Sequence, residues 1–509
     1  MVTLGVADGR CSLWETVLKP MPQLEVTRTN HRFLPDPRRV IAKPHLPGEE
    51  AYTPDGKSRV KAVLERILAI PDAEVAAIVA DVLHNFSRRH HDFTKVLHNH
   101  FQMVAHHLEQ GAELTEDRRL LIGAYFTHEY SIEAAALFNP SIVPAPDQTS
   151  LAPGSQRFIM SVRAVGEGHI SSIGFRSGVL DDRCMLTFDE VSRFAITGRR
   201  TRPLYDKHLF GLKLAELEAD NEIAAVVLEP LPEEFSFEEL EQSLSLFEAK
   251  HVFPEIVACE TTKLIHLLAM SNYISMYPRE SPLSERVLFP AGPKESQGME
   301  DARFVRFVHD DGSVVYYATY TAFNGFEVLP QLIETADFTS FRVATLSGRF
   351  VQNKGMALFP RPIDGKYVML ARSDRENTYL MRSDNVRLWN ESQILHAPQQ
   401  PWELIQIGNC GSPIETEAGW LVLTHGVGPM RRYAIGAMLL DLGDPGRVIG
   451  HLAEPLMAPE EDEREGYVPN VLYSCGSMVH AGQLILPYGF SDGGIKIATI
   501  RLPDLLNLL

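Results

Sequence analysis

The chain has 509 residues, more than one ordinary core encloses, so two or three domains are expected. Its 45% hydrophobic and 22% charged content is that of a soluble globular protein. A formal net charge of −18 makes nucleic acid and anionic membranes poor partners, though a local basic pocket stays open. The opening MVTLGVADGRCSLWETVLKP lacks a basic stretch followed by an apolar one, so no signal peptide is expected. No apolar run reaches the length of a membrane-spanning helix. Cys11, Cys184, Cys259, Cys410 and Cys475 are scattered without a C-x-x-C pair, which predicts reduced thiols in a cytoplasm and no zinc site.

Residues 1–57 are rich in proline and charge and predict an extended arm with little core of its own. Residues 58–132 predict an α-helical domain of three or four helices. Val60, Val63, Leu64, Ile67 and Leu68 form one apolar stripe, and Val75, Ile78, Val79, Val82 and Leu83 another. Asp72 and Thr115 have the chemistry of N-caps and Gly111 that of a helix stop.

From about residue 133 the apolar period becomes that of strands. A marked entry, a short apolar run, a turn and a second apolar run ending in a polar residue recur five times. The second runs are RFIMSVR (157–163), VVYYATY (314–320), KYVMLAR (366–372), WLVLTH (420–425) and LILPY (484–488). Asp311-Gly312, Asp364-Gly365, Gly419 and Gly482 mark hairpins between first and second runs. Spacings of roughly fifty to sixty residues between the later units suit propeller blades. The fold expected is mainly β: a five-bladed β-propeller over 133–509, with the N-terminal helical domain and a helical insertion at about 233–280 between the first two blades.

Aligning the repeats puts Asn139, Asp301, Lys354, Asn409 and Asn470 at related entries, and Arg163, Tyr320, Arg372, His425 and Tyr488 at the ends of the second runs. One acid among several cations around a propeller axis suits a polar, anionic ligand. The stretch GMEDARFVRF (298–307) places Glu300 and Asp301 side by side at the mouth of a buried strand. Alternation along a strand predicts opposite faces for them, with Asp301 toward the pocket and Glu300 holding Arg303 or a backbone amide. Adjacent acids of that kind do not form a facing acid/base pair. An anionic nucleophile such as phosphate needs a cationic cradle in place of a second carboxylate.

GMEDARFVRF, TYTAFNG, NKGMALFPRPIDGKYVMLAR, GNCGSPIETEAGWLVLTHGV and GYVPNVLYSCGSMV–LILPYGFSD together resemble glycoside hydrolase family 130, the β-mannoside phosphorylases and related β-mannosidases, over roughly 135–509. The resemblance implies a five-bladed propeller and inverting phosphorolysis of β-mannosides, releasing α-mannose 1-phosphate. It implies Asp301 as the proton donor, acting through a sugar hydroxyl in the phosphorylases. Arg163, Lys354, Arg176, Arg372 and His425 match cations that would hold phosphate, and Asn139, Ser141, Tyr320 and Asp492 match sugar contacts. The implied partners are a mannoside disaccharide or oligosaccharide and inorganic phosphate as co-substrate, with no cofactor and no metal. Ala302 stands where proline is common in the family, and the two helical segments are absent from its compact members. Those segments are expected to border the acceptor side or a subunit interface, so a homo-oligomer is among the expectations.

Two alternatives stand beside this reading. A hydrolase would need a second carboxylate, for which Glu376, Glu167 and Glu129 are candidates. A non-catalytic carbohydrate-binding propeller would use the helical domain as a partner platform. Seven histidines between His84 and His107 lack metal-ligand spacing and are expected on a solvated or core-edge face. PEEDEREG (459–466) is expected to be a charged surface loop, and Cys475 and Ser412 lack the surroundings of nucleophiles.

Overall fold

The computed structural model describes residues 24–47, 58–109, 111, 113–249 and 255–509, the last without the side chains of 255–257. Cys11 and residues 1–23 and 48–57 of the expected arm lie outside the described residues. The molecule is mainly β. Apolar runs with tight polar turns pair antiparallel with their sequence neighbours and give five consecutive units.

The first unit comprises strands Ala136–Pro144, Gln156–Val165, Ser171–Leu180 and Leu186–Phe188. The second comprises Gly298–Val308, Val314–Phe323, Val328–Thr335 and Ser340–Thr345. The third comprises Ala357–Leu358, Tyr367–Ala371, Thr378–Ser383 and Glu391–His396. In the fourth, Gln406–Asn409 and Ile414–Thr416 share the edge of Gly419–Val427, followed by Tyr433–Leu440 and Val448–His451. In the fifth, Leu472–Tyr473 and Met478–His480 flank Gln483–Phe490, followed by Gly494–Arg501.

The chain's beginning completes the fifth unit. Val26–Phe33 pairs antiparallel with Gly494–Arg501, so part of the expected arm is a sheet strand. Arg28 ties it down by donating to the Glu463 carboxylate and, over 3.0 Å, to the Ala458 carbonyl. Glu463 therefore does not sit on a surface loop as the run PEEDEREG suggests. It is fully buried, and it also accepts from Tyr488 at 2.7 Å and from Lys496.

Four helices, Arg59–Leu68, Asp72–Phe86, Phe93–Val104 and Glu116–Tyr125, precede the first unit and share a core built on Leu64, Val79, Leu97, Phe101 and Leu121. Thr115 caps its helix, accepting from the Arg118 amide. The N-cap expected at Asp72 is Pro71; Asp72 lies in the first turn and binds Arg118. Proline fits there because its fixed φ suits a helix entrance. The histidines are dispersed: His90 meets Glu129, His91 meets Glu285, His98 meets Glu116 and His100 meets Thr127.

Between the first two units lie helices Lys207–Glu216, Glu222–Leu228, Phe237–Glu248 and Glu255–Met270, with a core of their own around Leu214, Val227, Leu244 and Ile265. The helical stretch thus begins well before 233. Its end is also corrected: Tyr273–Met276 is a strand pairing with Ser340–Thr345, as its alternating burial requires.

All five units contribute to one cavity. A cavity of about 390 Å³ is lined by Ile142 and Pro144 from the first unit, Phe304 and Val308 from the second, Arg361 from the third, Ile414 from the fourth and Met478 from the fifth. The loops between second and third strands (166–170, 324–327, 372–377, 428–432 and 491–493) all lie at the other end, beside the entries of the first strands.

Candidate active site

The first strands do not run straight past that loop-bearing end. In the second unit the pairing steps from Glu300↔Thr321 to Arg303↔Thr319, so two residues, Asp301 and Ala302, face one. Asp301 takes a left-handed backbone, φ +56°. In the first unit the pairing steps from Phe138↔Arg163 to Ser141↔Ser161, and Asn139 has φ +48°. Asp and Asn tolerate that conformation better than other side-chain-bearing residues, and a bulge re-aims the side chain it carries. Opposite faces for Glu300 and Asp301 are therefore corrected: strict alternation fails at a bulge, and both carboxylates reach the same arginine.

Arg163 is that arginine. Its Nη2 donates to Glu300 Oε1 at 2.7 Å and its Nη1 to Asp301 Oδ1 at 3.0 Å, while Nε donates to Ser171 Oγ at 2.9 Å. Asn139 Nδ2 donates to the same Asp301 Oδ1 at 2.7 Å. Asp301 Oδ2 accepts no hydrogen bond from the described residues. Glu300 Oε2 accepts from Lys354 Nζ at 2.6 Å, so Glu300 holds Arg163 and Lys354, not Arg303. Arg303 turns to the Asp301 carbonyl at 3.1 Å and the Tyr473 hydroxyl at 2.7 Å. Arg372 Nη1 donates to His425 Nε2 at 2.9 Å, and the His425 ring lies 4.7 Å from that of Tyr473.

The electrostatics follow from this crowding. Burial pushes the Asp301 carboxyl up, but Arg163, Arg303, Lys354 and the Asn139 amide outweigh it and hold the group well below the usual carboxylate range. Asp492, half-buried on the 491–493 loop, goes the other way. Burial and the Asp301 charge push it up to about 6 against the pull of Arg163 and Arg431. Burial, Arg372 and Arg303 push His425 well below its ordinary value. Its ring is neutral, and because Nε2 accepts from Arg372, Nδ1 carries the proton. His425 thus offers this site a donor and no positive charge. Arg163, Arg303, Lys354 and Arg372 stand against the Glu300, Asp301 and Asp492 carboxylates, which still leaves a small surplus of positive charge in a chain whose net charge is −18.

Not every expected site residue comes to this cluster. Arg176 Nη2 is bound to Glu133 at 2.9 Å, in a buried group that includes Arg39. Tyr320 is a core residue whose hydroxyl donates to Glu295 at 2.6 Å. Tyr488 likewise turns to Glu463. Ser141 is fully buried, and its hydroxyl accepts from the Phe304 amide at 3.1 Å, linking one bulged strand to the other. A Cβ on Gly476 would stand 2.4 Å from that hydroxyl, so only glycine lets the fifth unit approach. Of the candidate second carboxylates, Glu129 is bound to His90 and Arg89, while Glu167 and Glu376 lie on the loops at the site's end. Sequence reasoning left Glu300, Arg303 and Tyr473 out of the site. The E-D-x-R run was the available signal for the first two, since a buried strand tolerates three charges only when they bind one another.

A family model described as beta-1,4-mannooligosaccharide phosphorylase, that of glycoside hydrolase family 130, matches residues 251–509. The chain belongs to glycoside hydrolase family 130. Family relatives include a 1,2-beta-oligomannan phosphorylase of Thermoanaerobacter sp. (strain X514), 34% identical over 44% of this chain and 75% of that one. A beta-1,2-mannobiose phosphorylase of the same organism is 34% identical over 41% of this chain and 68% of its own length. A beta-1,4-mannooligosaccharide phosphorylase of Ruminococcus albus is 34% identical over 30% of this chain and 50% of its own. The matched family span holds Glu300, Asp301, Lys354, Arg372, His425 and Asp492, whereas Asn139 and Arg163 precede it, beyond the helices at 207–270.

Proposed function

We propose that the protein is an inverting β-mannoside phosphorylase, with phosphate as the nucleophile and α-mannose 1-phosphate as the product. The observation that carries this is the surplus of cationic groups beside one strongly ionised carboxylate. Arg163 and Lys354 share Glu300 and Arg372 meets the neutral His425, so a phosphate dianion among the three would balance the positive charge left over. Water as the nucleophile would leave it in place. The family relatives named as mannoside phosphorylases support the same reading.

In this mechanism phosphate attacks the anomeric carbon from the face opposite the leaving group. Asp301 supplies the proton to the leaving oxygen, through a hydroxyl of the sugar where direct reach is too long. In the free site Asp301 is ionised because three cations face it. Phosphate bound among those cations cancels part of their field and lets Asp301 hold a proton. Oδ2 is the atom to carry it, since Oδ1 already accepts from Asn139 and Arg163. Asn139 orients the acid, and Asp492 lies close enough to Asp301 to feel its charge and to meet the sugar.

The architecture proposed is a five-bladed propeller whose blades are the five antiparallel units. Two features support it: the shared cavity lined from every unit, and the N-terminal strand that completes the last one. The helices at 59–125 are proposed as a separate domain and those at 207–270 as an insertion between the first two blades, because each group has its own core. The test is incubation with a panel of β-1,2- and β-1,4-mannosides, with and without phosphate. A sugar phosphate formed only with phosphate supports the proposal. Free mannose released without phosphate supports the hydrolase, and no turnover in either case supports a binding module.

A further inference from the structure

A second polar cluster lies away from the Asp301 site, where the third unit meets the fourth. His396 closes the outer strand of the third unit and His451 the outer strand of the fourth. Glu403 lies on the connector between the two units and is fully buried. His451 Nε2 is 3.4 Å from Glu403 Oε2, and His396 Nε2 is 4.0 Å from Glu403 Oε1. One ligand atom from each of the three residues lies within 4.8 Å of the other two.

These groups are built in. Glu403 Oε1 accepts the amides of Gln399 at 3.0 Å and Gln400 at 3.1 Å, which fixes the carboxylate and directs Oε2 toward His451. Trp402 next door lies flat on the fourth unit: a Cβ on Gly426 or Gly436 would stand 2.4 Å from its indole ring. That ring stacks on His451 at 6.3 Å between centroids, and the two imidazoles lie 4.5 Å apart. Yet His396 Nε2, His451 Nε2 and Glu403 Oε2 are buried and complete no well-formed hydrogen bond among the described residues. Three such atoms gathered together without partners are costly as neutral groups. A plain ion pair would close to about 2.7–3.2 Å, which neither histidine does. Ligands held at about 2.0–2.2 Å from a metal ion stand roughly 3–4 Å from one another, and the 3.4 Å between His451 Nε2 and Glu403 Oε2 falls in that range.

We propose that His396, Glu403 and His451 form a binding site for one divalent transition-metal ion of the Zn2+ class, with water completing its coordination. Two imidazoles and a carboxylate are the donor set such ions select. The ion clamps the connector between the outer edges of two units and plays no part in the chemistry at Asp301. Expecting no metal site from the absence of C-x-x-C and HExxH covers neighbours in sequence, not ligands drawn from two units and the connector between them.

The test is a titration of the chelator-treated, dialysed full-length protein with Zn2+ in competition with a chromophoric chelator, alongside thermal melts. A single ion should bind and raise the melting midpoint. Glu403→Gln and His451→Gln should each weaken binding by at least about 100-fold, beyond the usual cost of losing an outer-shell partner. His106→Gln, in the helical region, should leave it unchanged. Should the site variants fail to fold, Co2+-loaded wild-type protein decides: intense visible d–d bands and shifted ring resonances from two histidines are expected. An ion not retained by wild type, retained equally by Glu403→Gln, or lost in His106→Gln would overturn the proposal, as would Co2+ bands as weak as those of the hydrated ion.

Discussion

Two arginine–carboxylate clusters, both mostly buried, draw on paired strands of the first unit through Arg163 and Arg176 and behave differently. In one, Arg39 and Arg176 enclose Glu133, with side-chain exposures of 2%, 4% and 1%. The spare donors go to backbone: Arg39 to the Ser284 carbonyl and Arg176 to that of Phe175. Burial pushes Arg39 below its ordinary value despite Glu133, and Arg176 adds to the push. In the other, Arg163 and Lys354 share Glu300, but their side chains are 16% and 40% exposed. A closed cluster fastens elements together. An open one with a surplus of charge can take a ligand, as proposed here for phosphate.

The largest effect expected separates the chemistry of the open cluster from its architecture. Asp301→Asn keeps Asn139 and Arg163 within hydrogen-bonding reach but removes the proposed proton donor, so turnover should fall by about 10²–10⁴ while the circular dichroism stays native. Near wild-type turnover would take Asp301 out of the mechanism. Glu133→Gln is the matching change in the closed cluster. It leaves two buried guanidinium groups uncompensated and should cost about 3–5 kcal/mol in denaturant unfolding. The activity of the molecules that remain folded should be unchanged, and loss of activity without loss of stability would reverse the contrast. Lys354→Ala removes the most exposed cation. It should raise the apparent KM for phosphate by about 10–100-fold, the worth of a charge-assisted hydrogen bond, and that for the mannoside much less. Equal rises would mean that Lys354 does not discriminate phosphate from sugar.

A further effect is set by pH. Asp492, pushed up to about 6 from 3.8, binds its proton more tightly in the folded chain than in the unfolded one. The stability this provides is complete below 3.8 and is lost as pH rises through 6. Asp492→Asn should therefore stabilise the protein at pH 7 by up to about 3 kcal/mol, with the gain closing at acid pH. Melting midpoints of both proteins across that range decide it, and a pH-independent difference would remove the carboxyl as its cause.

Much of the strand framework was legible because it depends on short-range chemistry. Apolar runs bounded by Asp311-Gly312 and Asp364-Gly365 fold as hairpins whatever surrounds them. Asp301 was legible as a site residue, since adjacent acids entering an apolar run need partners. Its geometry was not, because a two-for-one bulge depends on which residues of Val314–Phe323 are paired. Arg163 and Arg176 could not be told apart from sequence. Their difference lies in Glu133 and Arg39, which reach Arg176 only through the fold. The helices at 207–228 escaped notice because neither carries a strong apolar stripe, and the cluster at His396, Glu403 and His451 has no spacing that a motif describes.

Phosphate, not water, is proposed to reach the anomeric carbon in the open cluster beside Asp301. Turnover of a β-mannobiose with inorganic phosphate fully labelled with 18O tests this most directly, read by mass spectrometry of the products. Phosphorolysis should give α-mannose 1-phosphate that retains every labelled oxygen, the bridging one included, and no release of mannose when phosphate is withheld. Free mannose carrying oxygen from the solvent, formed at the same rate with or without phosphate, would contradict it.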